Sequence, residues 1–379
     1  MIERYANKNI SAIWSKENQY RVWKNIELTY LKHLLDDSTL HPNLIALDIT
    51  KIEAYEKETK HELVAFLKEL TFQLDDLYPE KTYTNYLHYG LTSSDIIDSA
   101  NAVLIKQSIV YLGSATNVLL NTLNNLIDKY KDLDAVGRTH GKHAEPIKFA
   151  SRFEHFKYEL EIALKHLQIA KNDMPGKMTG PVGTSSFVNK EAAALTLSQF
   201  NLTQASFSTQ VVSRMHYVQV IYACSLIMAA YERFCTQIRL MAINEIDEVQ
   251  EGFSQGQTGS SAMPHKNNPI ISENITGLSR LVRSNLQAAF ENNNLWFERD
   301  ISHSSVERII IPDTFHLVAT ATNKIINHLL PNLHINQNKI IDNLQNANVS
   351  SHEELLKVSL TTKRLEAYKQ VQDESFRHN

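Results

Sequence analysis

DIIDSANAVLIKQSIVYLGSATNVLLNTLNNLIDKY, residues 95–130, holds one glycine and no proline. Ile96, Val103 and Val110 stand a heptad apart, and so do Leu112, Leu119 and Leu126 after a shift of two. This spacing predicts one long helix with one buried stripe. Residues 208–247 repeat the pattern with Val220, Ile227, Phe234 and Met241, while Ile221, Leu226, Met228 and Ile238 put apolar side chains on the other faces. A helix apolar nearly all round must be buried on all sides, which places it at the centre of a multi-helix bundle shared between subunits. The 11 glycines and 9 prolines gather around residues 137–146, 175–183 and 252–269, and the uninterrupted stretches between them read as helices. Strand signals are weak, with no alternating run closed by an Asn-Gly or Asp-Gly turn. The expected fold is therefore all-α, with three helical domains: a head at residues 1–90, a central bundle of long helices at 91–330 and a short tail at 331–379.

A chain of 379 residues can bury a large core, and 43% hydrophobic with 21% charged residues excludes a disordered or collagen-like class. The net charge of −4 and the lack of a dense Lys/Arg stripe argue against nucleic acid as partner. Met1-Ile2-Glu3-Arg4-Tyr5 lacks the build of a signal peptide, and no apolar run approaches ~20 residues, so a cytoplasmic protein without a membrane partner is expected. Cys224 and Cys235 fall in one helical stretch, roughly 16 Å apart along its axis, too far for a disulfide; buried thiols are expected. Among 16 histidines the tightest pair, His140 and His143, lacks the Glu and the spacing of a zincin helix. No metal is expected.

Four polar segments carry chemistry. GQTGSSAMPHKNNPIISENITG, residues 256–277, joins a glycine-bracketed loop with Ser260 and Ser261 at its tip to a helix start at Pro269. Lys266, Asn267 and Asn268 converge on that helix N-terminus, an arrangement that favours a carboxylate or phosphate; a polar surface loop is the plainer alternative. In YLHYGLTSSDIID, residues 86–98, one of Thr92, Ser93 and Ser94 can cap the following helix, which leaves other hydroxyls beside His88 for an anionic ligand. GRTHGKHAEP, residues 137–146, turns tightly around His140, and Glu145-Pro146 reads as the opening of the next helix. In LWFERDISHSSVERIIIPD, residues 295–313, Ser304 and Arg308 lie four apart on one helix face, and arginine forks such as Arg299 and Arg308 suit a phosphate.

GSSAMPHKNNP closely resembles the signature of the fumarase/aspartase superfamily of lyases, in the version carried by the adenylosuccinate lyase family. HYGLTSSD, RTHG, KMTGPVGT at 177–184, STQVVSR at 208–214 and the 295–313 block resemble that family's motifs in the same order, and matches run from residue 3 to about 345. The resemblance implies elimination of fumarate from a succinylated amine, adenylosuccinate or its imidazole-carboxamide ribotide analogue. It implies no cofactor or metal, and a homotetramer whose active sites are each built from three subunits. Ser260 would be the base, Lys266 and Asn268 would hold the carboxylate that takes up charge, and His140 would protonate the departing nitrogen. Glu273 could orient a histidine. Gln210, expected to head the central helix, would contact the substrate; Arg4, Tyr5, Lys60, His61 and Glu62 match positions that line the nucleotide site, with His88, Thr92, Ser93, Arg299, Ser304 and Arg308 as further contacts.

Three departures from the family stand out. Asn267 replaces an arginine, Met215 replaces an aspartate and so removes a carboxylate partner expected for Arg214, and the third domain is short. They keep open a lyase or cycloisomerase for another succinyl-amine or carboxymuconate-type substrate, and an inactive paralogue.

Overall fold

The structure is a computed structural model that describes residues 1–252, 262–263 and 265–377. Helices dominate it. Lys8–Ile13 (α1), Lys16–Leu35 (α2), Ile49–Thr59 (α3) and Glu62–Leu77 (α4) precede the longest helix, Ser93–Tyr130 (α5). After a hairpin of Asp134–Thr139 (β1) and Lys142–Lys148 (β2) come Ser151–Asn172 (α6), Lys190–Gln199 (α7) and Met215–Met241 (α8). A short strand, Val249–Glu251 (β3), leads to Ile270–Glu291 (α9) and Ser302–Lys324 (α10). The chain closes with Leu333–Ile335 (β4), Gln337–Gln345 (α11), Ser351–Ser359 (α12) and Arg364–Arg377 (α13).

The start of α5 is fixed locally. The Thr92 N–H donates to Asp95 Oδ2 at 2.7 Å, the reciprocal half of a capping box. At ~1.5 Å per residue its 38 residues run for about 57 Å. Ile105, Ile109, Leu112, Thr116, Leu119 and Leu123 are all buried, alternating steps of four and three. Val110 stays 51% exposed, so the heptad through Val103 and Val110 is not the buried seam. Length and apolar content would also let α5 cross a membrane, but its buried positions include Asp95, Asp98, Ser99 and Ser108, polar groups that require protein partners. In α8, Val220, Ile221, Ile227, Met228, Phe234 and Ile238 are buried, as an all-round apolar helix requires. This helix begins at Met215, so Gln210 precedes it by five residues instead of heading it.

Two sheets of two strands occur among the described residues, β1 with β2 and β3 with β4, both antiparallel. The first hairpin turns on His140 and Gly141, with φ of 54° and 76°, the two positive angles that match a tight hairpin to strand twist. Pro146 lies within β2, paired with Val136, and α6 starts only at Ser151. A two-stranded ribbon offers edge positions where proline's missing N–H breaks no ladder, so the Glu145-Pro146 step continues the second strand of the hairpin and opens no helix.

Two compact units make up the chain. The first comprises Met1–Thr116, Glu161–Ala229 and Leu278–Thr322. Tyr20, Trp23 and Phe66 form an aromatic cluster there, with centroids 5.4 to 6.1 Å apart. The second comprises the described residues of Asn117–Leu160, Ala230–Gly277 and Asn323–Asn379, and at its centre Phe156 stacks on Phe234 at 4.2 Å. Beyond β4 the tail holds three helices, α11, α12 and α13; α12 and α13 bury Leu355, Ala367 and Val371 between them.

Candidate active site

A cavity of about 500 Å³ opens in the first unit. Its walls come from α1 (Ser11), the turn after it (Trp14), α2 (Lys16, Trp23), the first residue of α4 (Glu62), the first turns of α5 (Ser94, Asp98) and the N-terminal half of α10 with the residues before it. Four of the expected substrate contacts meet there: Glu62, Arg299, Ser304 and Arg308. Ser304 and Arg308 lie one helical turn apart on α10, as their spacing requires. The Arg308 guanidinium donates to Glu62 at 2.6 Å. Arg299 donates from Nη1 to Gln210 Oε1 at 2.9 Å, which brings a fifth expected residue to the cavity edge, and the Gln210 amide donates to the Pro181 carbonyl at 3.0 Å. The glycine-punctuated turn at 177–184 therefore supports Gln210 without lining the cavity.

Beneath the surface residues lies a charged cluster. Arg214, 2% exposed, donates from Nη1 to Asp98 Oδ2 and from Nη2 to Asp98 Oδ1, both at 3.0 Å. Its Nε faces Glu307 Oε1 at 3.0 Å, an ion-pair contact without hydrogen-bond alignment. Burial opposes charge on Asp98, but the Arg214 guanidinium and the Val212 N–H outweigh it and hold the carboxyl below its ordinary range. Arg214 thus has two carboxylates although Met215 supplies none, and the deficit expected at that position does not arise. His303 joins the cluster with Nδ1 3.0 Å from Glu307 Oε2. Nothing in the sequence ties Asp98 to Arg214, 116 positions away; the available signal is a carboxylate on the apolar face of a long helix, which demands a cationic partner.

Other expected contacts sit outside the cavity lining. His61 is the N-cap of α4, its Nδ1 accepting from the Val64 N–H, and Lys60 ends α3 in the left-handed region at φ 52°. Arg4 and Tyr5 form a single 3₁₀ turn, with Arg4 exposed and the Tyr5 carbonyl accepting from Thr320. His88 is half-buried and 2.5 Å from the fully buried Glu27, and Thr92 and Ser93 are half-buried at the start of α5.

The second unit carries the remaining candidates. His140 is exposed at the hairpin tip. Two residues before it, Arg138 donates to both oxygens of buried Glu248, at 2.7 and 3.2 Å, and Asn343 of α11 donates to the same carboxylate at 3.1 Å. Lys266 and Glu273 are exposed and Asn268 is half-buried; Ser260 lies outside the described residues. The start of α9 differs from the expected open anion site. Glu251, 5% exposed, accepts from the Ile271 and Ser272 N–H groups at 3.0 and 2.8 Å, so the protein's own carboxylate already occupies the positive end of that helix. Asn267 donates its amide to the Glu251 carbonyl at 2.5 Å.

Comparison with known proteins gives the same direction. The profile of a family described as lyases matches residues 30–284. An adenylosuccinate lyase from Aquifex aeolicus (strain VF5) is 35% identical over 360 residues, covering 91% of this chain and 80% of that protein. Among solved structures, a fumarate lyase from Mesorhizobium sp. BNC1 superposes with a TM-score of 0.84 at 17% identity, over 98% of this chain and 86% of the other. A 3-carboxy-cis,cis-muconate lactonizing enzyme from Pseudomonas putida superposes at 0.82 with 19% identity, over 97% and 85%. Those two likenesses concern the fold. With the sequence match over nine-tenths of its length, the chain belongs to the lyase family within the fumarase/aspartase superfamily, as a carbon–nitrogen lyase of the adenylosuccinate lyase type.

Proposed function

We propose that this enzyme eliminates fumarate from adenylosuccinate, giving AMP, and from succinylaminoimidazole carboxamide ribotide. The observation that carries this reading is the meeting of Arg299, Ser304 and Arg308 at one cavity, a fork-hydroxyl-fork set suited to a nucleotide phosphate. Gln210 holds Arg299 and contacts the substrate beside it; Glu62 holds Arg308; Arg4, Tyr5, Lys60, His61, His88, Thr92 and Ser93 complete the nucleotide and carboxylate contacts. Ser260 removes the proton next to a substrate carboxylate, Lys266 and Asn268 hold that carboxylate as charge builds on it, and His140 protonates the leaving nitrogen, with Glu273 orienting a histidine. No metal or redox step is needed for this elimination.

The working form is a cytoplasmic homotetramer built from a head, a bundle of long helices and a tail, with each site completed by neighbouring subunits. Two features support it. His140, Lys266 and Glu273 are exposed in the single chain, as groups contributed to another subunit's site would be. The long helices also leave apolar side chains open: Val110 and Val118 on α5, Tyr158 and Ile169 on α6, each more than half exposed.

Fumarate release from adenylosuccinate, followed by absorbance, tests the reading. Ser260→Ala and His140→Ala should each lower kcat by about 10²-fold or more with the oligomer intact. A Ser260→Ala enzyme with ordinary turnover would remove the assigned base. The alternative, a lyase or cycloisomerase for another succinyl-amine or carboxymuconate-type dicarboxylate, takes its support from Asn267, whose amide is engaged by the Glu251 carbonyl where the family's arginine would offer a cation. Protection against heat unfolding by such a dicarboxylate, and none by AMP, would favour it.

A further inference from the structure

The imidazole of His303 lies between groups of opposite kind and is only 3% exposed. Its Nδ1 is 3.0 Å from Glu307 Oε2, and its Nε2 is 3.4 Å from the Nε of Arg299. One tautomer satisfies both sides. With the proton on Nδ1 the ring donates to the carboxylate, and the Nε2 lone pair accepts from the guanidinium. Arg214 Nη2 also approaches Nδ1, at 3.3 Å, but its two hydrogens have carboxylate acceptors in Asp98 Oδ1 at 3.0 Å and Glu307 Oε2 at 3.4 Å. That contact does not compete for the tautomer.

Arg299 is therefore held at two nitrogens, Nε by His303 and Nη1 by Gln210. Its Nη2 has no acceptor among the described residues and is the nitrogen left for a ligand oxygen. The chain of contacts runs inward from there: His303 to Glu307, Glu307 to Arg214, and Arg214 to Asp98, whose two oxygens are both engaged. Buried charged groups fixed on both sides have little rotameric freedom, so the ring between them is fixed as well.

We propose that His303 is a positioning residue for Arg299: in its Nδ1–H form it passes the fixed orientation of the buried Asp98–Arg214–Glu307 cluster to the guanidinium that faces the cavity. This rests on the reading that Arg299 contacts the substrate phosphate. A floppy arginine must be ordered when ligand binds, and prior ordering removes part of that cost. The effect falls on substrate affinity more than on the chemical step.

Two near-isosteric substitutions separate the halves of the ring. His303→Asn keeps a donor where Nδ1 stood and removes the acceptor for Arg299; His303→Gln reaches the Nε2 position with an acceptor oxygen. The expected result is a KM raised roughly five- to tenfold in the Asn variant, the net scale of one ordinary hydrogen bond, with kcat much less affected. The Gln variant should recover most of that loss. Arg299→Ala, assayed alongside, should raise KM further. An Asn variant with unchanged KM while Arg299→Ala is impaired would overturn the role of His303 alone. An Arg299→Ala enzyme with unchanged KM would remove the phosphate contact on which the inference stands. If the Asn variant does not fold, the Gln variant decides: a KM within about twofold of wild type supports the acceptor role, and a rise of about tenfold overturns it.

Discussion

His88 adopts φ of 60°, and two residues later Gly90 turns at φ 76°, where a Cβ would fall 2.2 Å from the Phe187 carbonyl oxygen. The left-handed geometry puts the imidazole against Glu27, and a non-glycine residue is kept there by that contact. Burial works against the imidazolium, but the Glu27 carboxylate outweighs it and raises the His88 pKa above 6.5. The folded state then binds a proton more tightly than the unfolded one, so this pair stabilises fully below pH 6.5 and its contribution fades as pH rises through the raised folded value. Thermal unfolding of wild type and His88→Asn should show a gap in Tm that narrows as pH rises above 6.5; a gap that widens upward would mean that Glu27 is not the cause. At this scale the sequence is uneven as a guide. Ser304 and Arg308 were legible because spacing four on a helix fixes a shared face, and Gln210 because it stands in a motif. The carboxylate of Glu251 at the start of α9 was not, since no local rule brings it to Ile271, 20 positions further along the chain.

Elements reveal their ends less readily than their middles. α5 and α8 could be read from uninterrupted apolar periodicity, whereas the hairpin of β1 and β2 went unseen. Its turn is His140-Gly141 and not a strong Asn-Gly signal, and β2 is mostly exposed, so its residues carry no alternating apolar pattern. What joins α5 to α10 was equally hidden. Charged residues in a sequence read as a solvated face, but Asp98 and Glu307 are buried and converge on Arg214. Such a cluster is costly to break from one side: Arg214→Met leaves two carboxylates in a low-dielectric interior, and a loss of about 3–5 kcal/mol is expected in urea unfolding. A loss below about 1 kcal/mol would mean that water or movement of α10 relieves the pair. Because Glu307 also holds His303, the same variant should weaken nucleotide binding even where it remains folded.

On the scale of the whole molecule, composition was enough to exclude a disordered or fibrous chain, and the order of motifs was enough to place the chain in its family. The division into two compact units was not legible, since each is assembled from three separated stretches of sequence and the boundaries fall inside helices, where, apart from Gly277 in α9, no glycine or proline stands at them. The two cysteines offer a means of probing that division. Both are free and buried; burial alone pushes the Cys224 thiol up to about 12, and burial is the largest cause that raises Cys235, so neither should react with a thiol reagent while the fold is closed. Cys224 belongs to the first unit and Cys235 to the second. Site-resolved labelling, read by mass spectrometry across a urea series, should find both protected in native buffer, and immediate modification of either would contradict the burial described. As denaturant rises, the two sulfur atoms become clocks set in different parts of one chain: a shared rate would report a single opening event, and a separation between them would report a difference in opening free energy, with no tag or mutation introduced.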